Sequence, residues 1–373
     1  MKKILIIHQS LPADSNLAKL YNSFWGDFEI KFVCPYKIKY WLWFWEWIFR
    51  NLDFEKFKNI TVRPLNLISD KNPFLRTLYW YDLFKTIKDF KPDIIHCYTE
   101  IFSPTLAEAI FFRNMINKGI KVMNFSWENL DWTNKIPHSY FWKYSAKHID
   151  KVICANEQAV SEVHKFWVRT DRISKIYWWV DFSNFEFIKH SVNWKSKFKI
   201  WFIWRLLKDK WIQNLIEAIK ILWENYSLEL IWDWADKEYF EKLTRELEIS
   251  DRINFIWKVE YSNLKKYIAE FDIFVLASLS KSYWEEQFWR VLVEMMASWV
   301  PVIWSSSWAI PEVIWDRWLV FREGDSEDLA DKIKQLSLDE KSYNEYIIKA
   351  YDYALNNYSQ EVFKERLKKV YND

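Results

Sequence analysis

Short apolar runs and longer amphipathic stretches alternate along the first half of the chain. The apolar runs predict buried strands, and the stretches with helical periodicity predict helices between them. The predicted strands cover 3–8, 29–34, 60–67, 94–98, 121–125 and 151–155, and the predicted helices cover 17–24, 73–89, 103–117, 139–148 and 158–166. This alternation predicts a parallel sheet that is covered on both faces.

A second series of the same kind follows an interruption. Residues 181–196 are polar and irregular, and we interpret them as a linker. The series after it has predicted strands at 198–203, 228–231, 253–256 and 273–277, predicted helices at 213–222, 237–247 and 263–271, and about three helical patterns in the tail 326–373. The whole pattern predicts two α/β domains, each with a parallel sheet that is covered on both faces.

Length, charge and cysteine content narrow the class of protein. The 373 residues suffice for two domains that each bury a core, and a net charge of +2 gives no electrostatic case for nucleic acid. Three widely spaced cysteines, Cys34, Cys97 and Cys154, are typical of reduced cytosolic thiols. The six histidines show no metal-ligand spacing, so no metal site is predicted. No stretch reaches the roughly 18 apolar residues of a membrane span.

The densest motif lies between residues 282 and 314. Glu286 and Glu294 stand eight positions apart at the start of an apolar helix, which is followed by a helix stop, a β-branched strand and a Ser-rich turn. This stretch resembles the donor-site motif of the family 4 retaining glycosyltransferases, E-x-F-G-x-x-x-x-E followed by A-M-A-S/C-G-x-P-V-I. Phe288 and Trp289 occupy the F and G positions, and residues 296–303 (MASWVPVI) match the second part.

Tryptophan stands where this pattern has glycine. The chain has 3 Gly and 27 Trp, whereas a domain of this length carries about 26 glycines at the usual ~7%. We hypothesise that most of these tryptophans are glycines encoded by UGA, in a source that reads UGA as glycine, as some bacteria do. Trp127 has no turn that demands glycine. The alternative is a genuinely Trp-rich protein. Residues 40–52 accordingly predict either an aromatic interface helix or a glycine-rich loop.

A second motif supplies two cations. Residues 201–211 (WFIWRLLKDKW) resemble the family's F-x-G-R-L-x-x-x-K-G, with Trp204 in the glycine position and Arg205 and Lys210 as the cations. Arg binds phosphate through two parallel hydrogen bonds and Lys supplies a point charge, so the pair suits a nucleotide-sugar diphosphate. The structural alternative is a solvated basic turn.

The resemblance assigns the remaining donor residues. It implies that Glu286 contacts the donor sugar and that Glu294 binds the ribose hydroxyls, with Phe288, Trp289 and Arg290 beside them. The alternative for the two glutamates is a pair of surface carboxylates stabilised by a helix N-terminus. Residues 255–259 (FIWKV) resemble F-x-G-x-V, and Lys258 and Val259 would border the nucleotide base. A plain turn between a strand and a helix is an equal alternative there.

The acceptor side carries fewer matches. His96, with Tyr98 and Glu100, ends a predicted strand, where open α/β sheets bind ligands. Ser126-Trp127-Glu128-Asn129 ends the next strand and resembles the T-W-E-N of one subgroup, whereas many relatives have His here. The roles of Glu128 and Asn129 therefore stay open, and a structural His96 is an equal alternative. Residues 9–12 lack G-x-G-x-x-G, which argues against a nicotinamide-dependent enzyme.

Taken together, the resemblance implies a GT-B fold, with two Rossmann-like doubly wound α/β domains facing a central cleft. The expected division is an acceptor domain at 1–180, a linker at 181–197, a donor domain at 198–350 and a helix at 351–373 that returns to the first domain. The expected activity is metal-independent transfer of a hexose, with retention, from a UDP- or GDP-sugar to a hydroxyl of a glycan or lipid-linked acceptor in surface polysaccharide synthesis.

The same resemblance implies that no cofactor takes part, since the nucleotide sugar is a substrate. It also implies a cytoplasmic enzyme in peripheral contact with the inner face of the plasma membrane. Two alternatives are open: a nucleotide-sugar epimerase, and an inactive GT-B protein whose donor loops are filled by genuine tryptophans.

Overall fold

The chain forms two compact units. The computed structural model describes residues 1–9, 16–24, 26–35, 40–41, 47–48, 57–68, 78–128, 131–185, 197–203, 212–231, 236–256, 259, 267–268, 270–277, 290–306 and 319–373. The first unit comprises Met1–Tyr177 and Lys364–Asp373, and the second comprises Trp178–Phe363.

The first unit is built on a seven-stranded parallel sheet. Its strands are β1 (Lys2–Ile7), β2 (Phe28–Pro35), β5 (Ile60–Leu65), β6 (Ile94–Cys97), β7 (Lys121–Ser126), β8 (Lys151–Cys154) and β9 (Ile173–Lys175), and β3 (Tyr40–Trp41) and β4 (Trp47–Ile48) form a separate antiparallel pair. The sheet order is β5-β2-β1-β6-β7-β8-β9. Four consecutive residues of β1 are buried, as expected of a strand that lies between two helical layers.

Five helices of the first unit lie between these strands in sequence, and two of them begin at a residue whose side chain caps the helix. They are α1 (Asn16–Asn22), α2 (Tyr81–Phe90), α3 (Pro104–Ile116), α4 (His138–His148) and α5 (Glu157–Lys165). Ser103 caps α3 and Pro104 is its first residue. The sequence predicts a helix from 73, but in its described part the helix begins only at Tyr81. The Glu108 carboxylate accepts the N–H groups of Tyr79 and Trp80 just before that start.

The second unit repeats the architecture with a six-stranded parallel sheet. Its strands are β10 (Phe198–Ile203), β11 (Tyr226–Ile231), β12 (Ile253–Ile256), β13 (Ile273–Leu276), β14 (Val302–Ser305) and β15 (Val320–Phe321), in the order β12-β11-β10-β13-β14-β15. Its helices are α6 (Ile212–Ile221), α7 (Lys237–Glu246), α8 (Arg290–Ala297), α9 (Ser326–Ser337) and α10 (Glu340–Tyr358). This strand order is that of the doubly wound Rossmann fold.

The C-terminal residues of the chain form one further helix. Alpha helix α11 spans Gln360–Asn372, and its residues from Lys364 onward belong to the first unit. The fully buried Tyr371 accepts a hydrogen bond of 2.9 Å at its carbonyl from Lys2 Nζ, and Lys368 pairs with Asp27 at 2.7 Å. The expected single helix at 351–373 is thus divided between α10 and α11, and the three helical patterns predicted for the tail are α9, α10 and α11.

Three tryptophans hold backbone conformations that favour glycine. Trp299 has φ 63°, Trp167 has φ 60° and Trp80 has φ 47° with ψ −119°. After α8, the N–H of Trp299 bonds to the carbonyl of Met296 at 3.1 Å and that of Val300 to Met295 at 3.0 Å. These two bonds form a Schellman motif, in which the position of Trp299 is usually glycine. Lys91 and Glu248 also have positive φ, so the conformation is not confined to tryptophan.

Candidate functional site

The donor residues predicted from sequence follow the two central strands of the second sheet. The strand order reverses between β10 and β13, and open α/β sheets bind ligands beyond the carboxyl ends of such strands. In sequence, Arg205 and Lys210 come directly after β10 and Glu286 comes after β13. Seven of the predicted site residues lie outside the described residues on the donor side (Trp204, Arg205, Lys210, Lys258, Glu286, Phe288 and Trp289), and so does Asn129 on the acceptor side.

Glu294 is a buried carboxylate with a fixed partner. It lies in the second turn of α8 and is 5% exposed. Arg290, one turn earlier on the same face, bonds from Nε to Glu294 Oε1 at 2.7 Å. A buried carboxylate requires a partner of this kind, because its desolvation is otherwise costly. Arg290 itself is 38% exposed at its side chain, so the pair reaches from the interior to the surface at the start of α8.

The C-terminal end of α8 holds Glu294 in place from the other side. The hydroxyl of Ser298 donates to the carbonyl of Glu294 at 2.8 Å, and the N–H of Ser298 bonds to the same carbonyl at 3.0 Å. The apolar face of α8 is fully buried at Leu292, Val293, Met295 and Met296. The carboxylate therefore sits on a rigid element, which is what a binding group needs for a defined geometry.

Val259 is the remaining donor candidate within the described residues. It is partly buried and lies outside the helices and strands. Its predicted position beside the nucleotide base stays a prediction.

His96 belongs to a buried hydrogen-bond network of the first unit. Its Nδ1 lies 2.6 Å from the hydroxyl of Tyr371, which also bonds to the hydroxyl of Tyr21, and Tyr21 bonds to Tyr98 at 2.8 Å. Burial lowers the pKa of His96 to about 3, so the imidazole is neutral. Its complete burial in β6 favours the structural interpretation of His96 that the sequence leaves open.

Glu128 lies with Glu100 at the carboxyl edge of the same sheet. The carboxylate of Glu100 accepts the hydroxyl of Ser126, the N–H of Trp127 at 2.9 Å and the N–H of Glu128. Burial raises the pKa of Glu100 to about 7, against the lowering effect of these bonds. The sequence alone assigns Glu100 no role beyond its position at a strand end, because its partners lie at the end of the neighbouring strand β7 and just after it.

The described residues contain no group of three or more His, Cys, Asp or Glu side chains placed to hold a metal ion.

Within the same part of the chain, none of the helices combines the length and the apolar character that crossing a bilayer requires.

Comparison with known proteins identifies the second unit. Residues 184–353 match the family model for glycosyl transferases group 1. The chain therefore contains a glycosyl transferases group 1 domain. N-acetyl-α-D-glucosaminyl L-malate synthase of Bacillus anthracis is 25% identical over 242 residues, a match that covers 62% of this chain and 61% of that protein.

Solved structures share the fold over the whole chain. HepE of Anabaena in complex with UDP has a TM-score of 0.73 at 15% identity, with 100% of both chains covered. A glycosyltransferase from Rickettsia africae has a TM-score of 0.74 at 16% identity, covering 100% of this chain and 98% of its own. The lipopolysaccharide outer core galactosyltransferase WaaB has a TM-score of 0.69 at 16% identity, covering 100% of this chain and 99% of its own. The predicted pair of Rossmann-like α/β domains is confirmed.

Proposed function

We propose that the protein is a retaining, family 4-like glycosyltransferase that moves a hexose from a UDP- or GDP-sugar to an acceptor hydroxyl. The observation that carries this proposal is the buried Glu294, fixed by Arg290 at the start of α8, within a domain that matches glycosyl transferases group 1. The order of motifs around it, with Arg205 and Lys210 after β10 and Glu286 before α8, adds support.

The proposed roles follow the direction of charge movement. The bond between the anomeric carbon and the terminal phosphate oxygen of the donor breaks, and a bond to the acceptor oxygen forms on the same face. The acceptor proton leaves with the diphosphate or to solvent. Arg205 and Lys210 stabilise the negative charge that develops on the departing diphosphate, and no metal or cofactor is needed for that role. Glu286 orients the sugar and Glu294 accepts hydrogen bonds from the ribose.

The names of similar proteins suggest donor and acceptor classes. HepE was solved with UDP, with UDP and glucose, and with UDP-glucose. WaaB is a galactosyltransferase of the lipopolysaccharide outer core, and the Bacillus relative is named for joining N-acetylglucosamine to L-malate. We extend the proposal to a cytoplasmic enzyme at the inner face of the plasma membrane, acting on a glycan or lipid-linked acceptor for surface polysaccharide. We keep 1–180 as its acceptor domain and 198–350 as its donor domain.

Most tryptophans at the family's glycine positions are proposed to be glycines read from UGA. The positive φ angles of Trp299, Trp167 and Trp80 support this, since glycine adopts such conformations without strain. Trp304 supports it too, because it is fully buried and its Nε1 has no partner among the described residues. TGA codons at these positions, with glycine in peptides of the native protein, would establish the point. TGG codons with tryptophan in the peptides would refute it.

One observation favours the second candidate, an inactive GT-B protein with genuine tryptophans. Trp201 is 2% exposed, stacks on Phe271 at 4.1 Å between ring centroids and donates from Nε1 to the carbonyl of Glu270 at 3.2 Å. A tryptophan so well accommodated in β10 is what a genuine residue would show. Peptide masses at the glycine positions of the motifs, residues 204, 211, 289 and 299, separate the two cases, because a genuine Trp201 is compatible with both.

Acceptor-dependent release of nucleotide tests the proposed function. The glycine-containing protein would be incubated with UDP-glucose, UDP-N-acetylglucosamine or GDP-mannose, each with and without L-malate or methyl α-D-galactoside. We expect nucleoside diphosphate to form faster with one acceptor, and NMR of the product to show the anomeric configuration of the donor. An inverted product would refute retention. A sugar that changes configuration without any acceptor would identify an epimerase.

A further inference from the structure

We infer that Glu100 is a positioning residue that fixes residues 126–128, and with them the carboxylate of Glu128, at the edge where the acceptor binds. This inference rests on the proposed function, because that function makes the edge an acceptor site. Nothing in the resemblance to the glycosyltransferase family assigns Glu100 a role.

The register of the sheet brings Glu100 to this segment. Beta strands β6 and β7 are parallel neighbours in which Cys97 pairs with Asn124. The backbone leaves both strands at the same edge of the sheet. Glu100 is three residues after Cys97 and Trp127 is three residues after Asn124, so the two residues lie at corresponding positions beyond that edge. The side-chain amide of Asn124 donates to the carbonyl of Thr99 at 3.0 Å, and this bond links the end of β7 to the residue before Glu100.

Both carboxylate oxygens of Glu100 are used on the segment after β7. Oε2 accepts the hydroxyl of Ser126, and Oε1 accepts the N–H of Trp127 at 2.9 Å, while the N–H of Glu128 adds a third hydrogen bond. Consecutive N–H groups converge on one carboxylate, so this arrangement defines the path of the backbone. The carbonyl of Ser126 is held from the other side by the N–H of Ala155 at 2.9 Å.

The result is a segment, residues 126–128, that is held on one side by Glu100 and on the other by Ala155. Glu100 and Glu128 are both partly exposed, but the two carboxylate oxygens of Glu100 are occupied by hydrogen bonds from the segment that it holds. Glu100 therefore acts through Glu128 and does not itself meet the acceptor. Correct placement of a reacting group within a fraction of an ångström is what such supporting residues supply.

The chain offers a matched control in Glu108. This residue is a buried Glu of the first unit, and its oxygens accept two consecutive N–H groups, those of Tyr79 and Trp80, as the oxygens of Glu100 do for Trp127 and Glu128. Its partners precede α2 and include no residue of 126–128. Replacing Glu108 by Gln therefore removes the same kind of hydrogen bonds without touching the proposed acceptor edge.

The first measurement is hydrogen exchange followed by mass spectrometry on the full chain. In Glu100→Gln the side-chain amide nitrogen cannot accept an N–H, so we expect exchange in peptides covering 126–128 to rise about tenfold. In Glu108→Gln we expect the rise at 79–80 and no change at 126–128. Unchanged exchange at 126–128 in Glu100→Gln would overturn the inference, whatever the activity of the protein.

The second measurement separates positioning from general damage. UDP formed from UDP-glucose would be followed with L-malate or methyl α-D-galactoside as acceptor, at a temperature well below the melting of both variants. We expect Glu100→Gln to raise the acceptor KM about tenfold with the donor KM unchanged, and Glu108→Gln to change neither. Equal effects of the two variants would overturn the positioning role. These assays use the glycine-containing protein and its variants. No transfer by the glycine-containing parent protein would overturn the proposed function, while the exchange result would still decide whether Glu100 holds the segment.

Discussion

Trp167 provides the sharpest test of whether glycine belongs at the left-handed positions. It follows α5 with φ 60°, is 78% exposed and has its N–H bonded to the carbonyl of His164 at 2.9 Å. We compare Trp167→Gly with Trp167→Ala, because both variants remove the ring and its edge contact with Trp142 at 5.3 Å. The difference between them isolates the backbone.

Two opposing contributions set the difference in the free energy of unfolding between Trp167→Gly and Trp167→Ala. A residue with a Cβ pays about 1 to 2 kcal/mol in the left-handed conformation, whereas glycine does not. Glycine loses more backbone freedom on folding, which costs about 0.5 to 1 kcal/mol relative to alanine. The first term is larger, so Trp167→Gly should be the more stable variant by about 1 kcal/mol, or roughly 3 °C in melting temperature for a unit of this size.

Trp223 is a control position at which we expect the alanine variant, and not the glycine variant, to be the more stable. It is 66% exposed and is not among the described residues with positive φ. Only the entropy term applies there, so Trp223→Ala should be more stable than Trp223→Gly by about 0.5 to 1 kcal/mol. Calorimetry of the four variants would resolve the transition of each unit. A more stable alanine variant at 167, as at 223, would refute the reasoning from backbone conformation.

Three further predictions concern charge and hydrogen bonding. Glu294→Gln should weaken nucleotide binding about tenfold or more. Glu270→Gln alters only an exposed ion pair and should leave nucleotide binding unchanged. Calorimetric titration with UDP or GDP measures the dissociation constant of both variants. Stability should fall as pH drops from 6.5 towards 3, because His96 is neutral in the folded chain and protonates on unfolding; His96→Gln should flatten this dependence in urea titrations. Tyr371→Phe should cost about 1 to 3 kcal/mol in urea unfolding of the first unit, by removing the buried hydroxyl that bonds to both His96 Nδ1 and Tyr21 and leaving only the longer contact of 3.3 Å between His96 Nδ1 and the Tyr21 hydroxyl.

Strand positions could be predicted closely from the sequence because buried parallel strands are continuous apolar runs. The predicted strands at 198–203 and 253–256 coincide with β10 and β12. The short strands β9 and β15 were not predicted, since runs of three and two residues carry no periodicity. The start of α2 was also not predicted. The backbone just before that start donates to the carboxylate of Glu108, which lies 27 positions after Tyr81 in sequence.

The candidate site could be predicted only where residue type and spacing define it. Glu294 was found because its motif is local, and its partner Arg290 lies one helical turn away. Glu100 could not be found in this way, because its role depends on the register between β6 and β7. The structural role of His96 depends on Tyr371, which is 275 residues distant in sequence.

Donor binding by the glycine-containing chain tests the central claim most directly. UDP and GDP would be titrated into protein with glycine at residues 204, 211, 289 and 299, and into the protein with tryptophan at these positions. We expect one of the two nucleotides to bind the glycine protein with one site per chain, and neither to bind the tryptophan protein. Absence of binding to the glycine protein, or equal binding to both, would contradict it.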